Sequence, residues 1–306
     1  MNGDPLILLD PDTSLSESAV QAAVRKAFAQ LAAGRAVQPG QVVTDLPGGG
    51  DVIAYQAVLA DDEVYAVKVS PYLPQPGGPA VVTAWTLLLS TRTGRPLLLA
   101  DAGRLTVERT AATTALAVDL LARPDARTLA VIGLGPVGRA HLRHARAVRG
   151  FSDVRVFSRS ATVDALDGLG DVTLAPSADD AAHGADVVLL CTSAAAPVVD
   201  VRALGPGTLV TSVSTNAARA HEIDPAALPD LDVYLDHTPA GFPAAGDMRI
   251  AAERGYTAEQ VRGDLPGLLS GTAAGPGRDR VVLFRSVGLG IEDAAVALAV
   301  LPRGCP

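Results

Sequence analysis

The chain has 306 residues, room for two domains, and is 48% hydrophobic but only 4% aromatic, so a sizeable core must be built from Ala, Val and Leu. A formal charge of -8 without a basic run excludes a phosphate-reading nucleic-acid surface, and despite a mean hydropathy of +0.28 no apolar run reaches the ~20 residues of a membrane span. Two cysteines, Cys191 and Cys305, make no disulfide framework, and Met1-Asn2-Gly3-Asp4 lacks the basic and apolar regions of a signal peptide; a cytoplasmic protein is expected, with Cys191 a small core residue.

Ser14-Leu15-Ser16-Glu17 has the spacing of a capping box, with Ser14 as cap. It predicts a helix through Val20, Val24, Ala27 and Leu31, closed by a left-handed Gly34. From about Asp51 to Leu99 the period shortens. Runs at Val52 to Leu59, Val64 to Ser70, Val81 to Leu89 and Pro96 to Ala100 are separated by Asp61-Asp62, the turn-like stretch Pro71 to Pro79, and Thr93-Gly94. They predict a mostly antiparallel sheet. Thr106 to Leu121 reads as a helix, broken by Pro124-Asp125.

From Thr128 strand-like and helix-like runs alternate, the pattern of a doubly wound parallel sheet. Strands are expected at Thr128 to Ile132, Val154 to Phe157, Val172 to Leu174, Val187 to Cys191, Leu209 to Val213 and Asp232 to Leu235, with helices from after the first strand to Val148, at Asp164 onward, at Ser177 to His183 and at Ile291 to Val300.

Gly133-Leu134-Gly135-Pro136-Val137-Gly138 follows the first of these strands directly and opens a helix, the context that gives a G-x-G-x-x-G pattern its meaning. Gly133 allows a tight turn, Gly135 lets a diphosphate approach the backbone, and Gly138 lets the helix pack against the strand. Pro136 and Val137 open the helix whose unpaired amides would face the phosphates. The alternative is a glycine turn without a ligand. After the second strand, Ser158-Arg159-Ser160 stands where an NAD site carries a carboxylate for the ribose. A guanidinium with two hydroxyls suits a 2′-phosphate, so NADPH is expected ahead of NADH unless Arg159 is a solvated surface residue.

Other chemistry-bearing residues read more plainly. His141 and His144 are expected on the surface, without a third metal ligand. His221 is an acid–base candidate or an ordinary loop residue. Trp85 lines a pocket or belongs to the core. Asp10-Pro11-Asp12 lacks the glycine of a calcium loop.

Three further stretches carry a resemblance: Tyr65-Ala66-Val67-Lys68-Val69-Ser70, Leu105-Thr106-Val107-Glu108-Arg109-Thr110-Ala111-Ala112-Thr113, and Phe284-Arg285-Ser286-Val287-Gly288 followed by Ile291-Glu292-Asp293. With the glycine pattern between them they resemble the ornithine cyclodeaminase/mu-crystallin family. The resemblance implies an α/β chain with a Rossmann-type doubly wound domain over residues 121–285 and a discontinuous α+β substrate and dimerisation domain over 1–120 and 286–306. The active site would lie in the cleft between them, and the protein would be a homodimer.

On the same resemblance Lys68 matches the family's active-site lysine, Arg109 an arginine at the substrate carboxylate, and Thr83 a polar substrate contact. Thr110, Thr192, Val213 and Ser286 match cofactor contacts. Two departures stand out. Gln41, in Gln38-Pro39-Gly40-Gln41, replaces an arginine that grips the carboxylate; Asn216 replaces the aspartate that handles proton chemistry in cyclodeaminases. Asn216 cannot act as a base. Lys68, Arg109 and Asn216 are therefore the expected catalytic set, and reduction of a cyclic imino acid, Δ1-pyrroline-2-carboxylate or Δ1-piperideine-2-carboxylate, is expected ahead of ornithine or lysine cyclodeamination with bound NAD. A non-catalytic NADPH-binding crystallin and an amino-acid dehydrogenase remain open. Lys68 read by spacing alone is equally an edge-strand surface lysine.

Overall fold

The computed structural model describes residues 7–9, 15–213 and 219–301, so Ser14, Asn216, Cys305 and the Asp10 to Asp12 segment lie outside the described residues. The chain divides into two compact units, Met1–Arg109 with Leu289–Pro306 and Thr110–Gly288. Among the described residues no helix is long and apolar enough to cross a membrane.

The first unit comprises β1 (Ile7–Leu9), α1 (Glu17–Ala32), β2 (Ala36–Val37), β3 (Val42–Asp45), β4 (Asp51–Leu59), β5 (Val64–Gln75), β6 (Gly78–Val82), β7 (Trp85–Ser90), β8 (Pro96–Asp101) and the start of α2 (Gly103–Leu121). Helix α1 is capped by Ser16 rather than Ser14: the Ser16 Oγ accepts from the Ala19 amide at 3.3 Å. Glu17 thus becomes the first helical residue, its charge set against the positive helix end. The sheet runs β1-β8-β7-β5-β4-β2, with β3 also on β4 and β6 also on β5. Only β1, which pairs with β8, is parallel to its neighbour.

Two expectations fail here. Val81 to Leu89 is not one strand, since β6 ends at Val82 and β7 begins at Trp85. Pro71 to Pro79 is not one turn, because the chain reverses only at Pro76-Gly77. Pro74 sits where the β5–β6 register shifts, between Leu73 and Gln75, and a bulge tolerates its missing amide.

The last helix, α8 (Gly290–Ala299), returns from the far end of the sequence and packs on β4, β5, β7 and α1. Beneath it Ile53, Tyr55, Ala57 and Leu59 alternate along β4, with Ala66 and Lys68 on β5 and Thr86 and Leu88 on β7, all buried. Elsewhere on the sheet Val69, Tyr72, Val81, Val82 and Trp85 remain exposed; Trp85, at 46% exposure, is neither core nor the wall of a closed pocket.

In the second unit a sheet of eight strands among the described residues is parallel throughout: β9 (Thr128–Ile132), β10 (Asp153–Phe157), β11 (Thr173–Leu174), β12 (Val187–Leu190), β13 (Leu209–Ser212), β14 (Asp232–Leu235), β15 (Gly263–Asp264) and β16 (Val282–Arg285). Their order is β11-β10-β9-β12-β13-β16-β14-β15. Strand order reverses between β9 and β12, the switch point at which such sheets bind ligands beyond their carboxyl ends. Every residue of β12, β13, β14 and β16 is buried, so these strands read as apolar runs rather than alternations. Helices α3 (Pro136–Val148) and α4 (Ala178–Ala182) fall where the sequence places them, and Asp164 lies in one 3-10 turn. The sequence pattern missed α5 (Thr238–Ala244), α6 (Gly246–Ala252), α7 (Leu265–Ser270), β15 and β16. These elements are too short for periodicity, and α5 contains Pro239 and Pro243.

His141 and His144 are not surface residues. They share the inward face of α3 with Gly138, Leu142 and Ala145 and are buried. The His141 Nδ1 donates to the Val137 carbonyl at 2.8 Å, which leaves Nε2 to accept from the Thr114 hydroxyl at 3.0 Å. Burial lowers its pKa to about 4. The unfolded chain, near the ordinary 6.5, binds the proton more readily, so this contribution to stability is complete above 6.5 and is lost as pH falls toward 4. Urea unfolding is expected to show a stability loss of up to about 3 kcal/mol across that window, flattened in His141→Gln; an unchanged slope in the variant would assign the pH dependence to other groups.

Candidate functional site

The second unit presents its candidate residues where parallel strands end. Gly133, directly after β9, holds φ +99 and donates its amide to Phe157 at the end of β10 at 2.7 Å. A Cβ there would meet the Cys191 carbonyl oxygen at 2.5 Å, so only glycine fits. At Gly138 a Cβ would fall inside contact with the Gly133 carbonyl, which is what lets α3 start against the strand. Gly135 differs: it caps α3, with Pro136 in the first turn, and a Cβ built there meets nothing within 4 Å. A positive-φ turn, an open approach at Gly135 and the amides opening a 13-residue helix fit a diphosphate, so these residues suit a dinucleotide. Ser158, half-buried, and the exposed Arg159 and Ser160 follow β10. Cys191 is half-buried against the turn, its thiol pushed up by burial.

Thr192 follows β12, Val213 follows β13 and Ser286 follows β16. Two buried carboxylates, neither singled out by the sequence, hold them. Glu222 accepts from the Thr192 amide and hydroxyl at 2.7 and 2.8 Å, the Ser212 hydroxyl at 2.7 Å and the Val213 amide at 3.2 Å. Asp236 accepts from the Ser286 hydroxyl and the Val287 and Gly288 amides at 2.9, 2.7 and 3.1 Å. Thr110 is half-buried on α2. His221 bonds through Nδ1 to the Arg219 carbonyl at 2.8 Å.

The first unit gathers a separate charged cluster. Lys68 is 2% exposed, so the edge-strand surface reading is wrong. Its Nζ donates to the Asp293 Oδ1 at 3.0 Å and lies 4.2 Å from the Tyr55 ring centroid. Arg109 donates from Nε to the same Asp293 oxygen at 3.0 Å and from Nη1 to the Glu292 Oε2 at 3.0 Å. The Glu292 Oε1 also accepts the Leu289 amide, which caps α8. The Asp293 Oδ2 is buried without a hydrogen-bond partner. Desolvation, helped by the neighbouring Arg109 charge, lowers the Lys68 ammonium to about 8 against the pull of Asp293. Burial works against Arg109 as well, but Asp293 and Glu292 outweigh it and keep the guanidinium charged. Burial raises the Tyr55 hydroxyl to about 12.

Across the sheet Lys68 pairs with Tyr55 and Thr86; Thr83 is exposed between β6 and β7 and is not its neighbour. Gln41 is half-buried between β2 and β3, whereas Gln38 accepts the Ile291 amide at 3.0 Å. Sequence alone assigns Glu292 and Asp293 no role. The available signal was two adjacent acids opening an otherwise apolar helix.

Gly138→Ala is expected to force strand and helix apart and to lower unfolding free energy by about 1–3 kcal/mol, whereas Gly135→Ala costs below about 1 kcal/mol. Equal costs by chemical denaturation would contradict the close approach at Gly138.

Residues 10–303 match the ornithine cyclodeaminase/mu-crystallin family. The chain is 49% identical over 308 residues to the NAD(P)H-dependent anabolic L-arginine dehydrogenase DauB of Pseudomonas aeruginosa, covering 97% of this chain and 96% of that one. It is similar to the Δ1-pyrroline-2-carboxylate reductase of Thermococcus litoralis, solved with NADH and L-proline, with a TM-score of 0.89 at 28% identity over 97% and 96% of the two chains. An archaeal alanine dehydrogenase dimer with bound NAD superposes with a TM-score of 0.88 at 25% identity over 97% and 95%. This chain belongs to the ornithine cyclodeaminase/mu-crystallin family.

Proposed function

We propose that this protein is an NAD(P)H-dependent oxidoreductase that reduces the C=N bond of an α-imino acid to the amino acid. The observation that carries this reading is the convergence of the buried Lys68 and Arg109 on one carboxylate oxygen, at 3.0 Å each. Between them an ammonium and a guanidinium carry more N–H donors than Asp293 and Glu292 consume, and in a dry setting such donors bind an α-carboxylate far better than in water. When bound at the glycine turn, the nicotinamide supplies the hydride for the imine carbon. Lys68, held near neutrality, is suited to exchanging a proton at the substrate nitrogen. Arg109 keeps its charge throughout and orients the carboxylate. Asn216, at the family's aspartate position, brings no base to the reaction.

The likeness to DauB supports a linear substrate first, the imine formed when ammonia adds to the 2-oxo acid of arginine and water leaves. The L-proline in the Thermococcus relative favours a second reading, reduction of the cyclic ketimine carboxylates Δ1-pyrroline-2-carboxylate or Δ1-piperideine-2-carboxylate. NADPH is preferred over NADH in this proposal because Arg159, exposed after β10, suits a 2′-phosphate where no carboxylate awaits a ribose hydroxyl. The assembly proposed is a homodimer. Trp85 and Val69 pair directly on the sheet, Val81 pairs with Leu73 on the same face four residues further along β5, and Trp85, Val69 and Val81 are exposed. A second copy is the occupant that this apolar face fits, as the dimeric alanine dehydrogenase relative supports.

The test is nicotinamide oxidation with either nucleotide, offered the 2-oxo acid of arginine with ammonia, or each cyclic ketimine carboxylate. Turnover of the linear pair supports the first reading and turnover of the cyclic substrates alone the second. Firm nucleotide binding without turnover would make this a non-catalytic binding protein. For the productive substrate, kcat/KM is expected to fall as pH rises through about 8, where Lys68 loses its charge. Arg159→Ala should raise the KM for NADPH well above its effect on NADH; equal effects would sink the phosphate assignment. Light scattering is expected to give twice the chain mass, reduced to one by Val81→Asp with Trp85→Asp; a monomer in the unaltered protein would refute the dimer.

A further inference from the structure

Glu222 lies in a short irregular segment ahead of Asp224, anchored by the buried Ala220 and Ile223, and is itself fully buried. Its carbonyl accepts the Val198 amide at 2.8 Å, so the backbone there is already tied down. Its carboxylate reaches the ends of two neighbouring parallel strands. One oxygen takes the amide and hydroxyl of Thr192 beyond β12; the other takes the Ser212 hydroxyl and the Val213 amide at the end of β13. Thr192 in turn stands against the glycine turn, its Cγ2 3.3 Å from where a Gly133 Cβ would be.

A negative charge near a diphosphate site repels the ligand, and burying one is costly unless donors surround it. Those donors are present, and they are the strand ends that wall the turn. We propose that Glu222 is a positioning residue for the dinucleotide, its buried carboxylate clamping the segments after β12 and β13 beside the phosphate-binding turn. The inference rests on the dinucleotide reading above. A carboxylate is acceptor-only and among the described residues accepts from the four donors above; a glutamine would turn an NH2 group toward two of them and leave those donors unpaired. The clamp would then open at Thr192 or at Val213, and the wall beside Gly133 would lose its shape, while the Lys68–Arg109 cluster of the other unit has no part in these bonds.

The experiment titrates the full chain with NADPH and with NADH, following nicotinamide fluorescence, and measures the KM of the productive imino acid at saturating nucleotide. Glu222→Gln is expected to weaken binding of both nucleotides by about tenfold, with the imino-acid KM changed less than about twofold. Ser212→Ala removes one donor and keeps the carboxylate; it is expected to weaken nucleotide binding by about two- to threefold and carries the test if Glu222→Gln does not fold. Nucleotide binding as tight as the unaltered chain's in both variants, or an equal loss in nucleotide and imino-acid terms, would overturn the positioning role. Failure of the unaltered chain to bind either nucleotide at millimolar concentration would instead overturn the dinucleotide reading beneath it.

Discussion

The interaction on which the first unit depends is the shared oxygen of Asp293. It receives Lys68 from β5 and Arg109 from α2, side chains 225 and 184 residues away in sequence. Two buried cations without partners would be untenable in an apolar core, and removing one partner from such a cluster strands the others. The last helix must therefore come back to the first sheet, and the unit is discontinuous for an electrostatic reason as well as a hydrophobic one. The first turn of α8 does two jobs with the same carboxylates: Glu292 closes the helix start through the Leu289 amide and also holds the Arg109 guanidinium.

The second unit meets a different constraint. Its sheet is parallel and its central strands are buried at every residue, so polar chemistry can appear only where strands end. Each end leaves backbone amides and hydroxyls that must be paired. Glu222 and Asp236 pair them two strands at a time, β12 with β13 and β16 with the segment after β14. Buried carboxylates thereby turn loose strand ends into a defined rim, in which Thr192 stands beside the glycine turn. The glycines themselves are set by contact: Gly138 against the Gly133 carbonyl, and Gly133 against that of Cys191.

Much of the fold was legible because its signals are local. A glycine pattern between an apolar strand and a helix, and alternation of strand-like and helix-like runs, specify a doubly wound sheet through backbone conformation and periodicity alone. Lys68 and Arg109 were legible through the motifs around them. Thr83, expected near the substrate, lies exposed between β6 and β7, a break that local β-propensity does not mark. The histidines of α3 were misjudged because Arg139, Arg143 and Arg146 share their helix, and only the packed face tells which side the rings take. Asp236 and Glu222 carried no signal at all; an isolated acid in a loop looks like any solvated one until the donors around it are known.

The sequence by itself determined the class of the fold, the glycine turn and the two cations, since each follows from residue identity within a few neighbours. The tertiary structure decided which carboxylates balance those cations, which strand-end groups are clamped and which apolar residues stay outside. Those outcomes depend on burial and on partners dozens to hundreds of residues away, where the cost of an unpaired charge or donor acts only once the chain has closed around it.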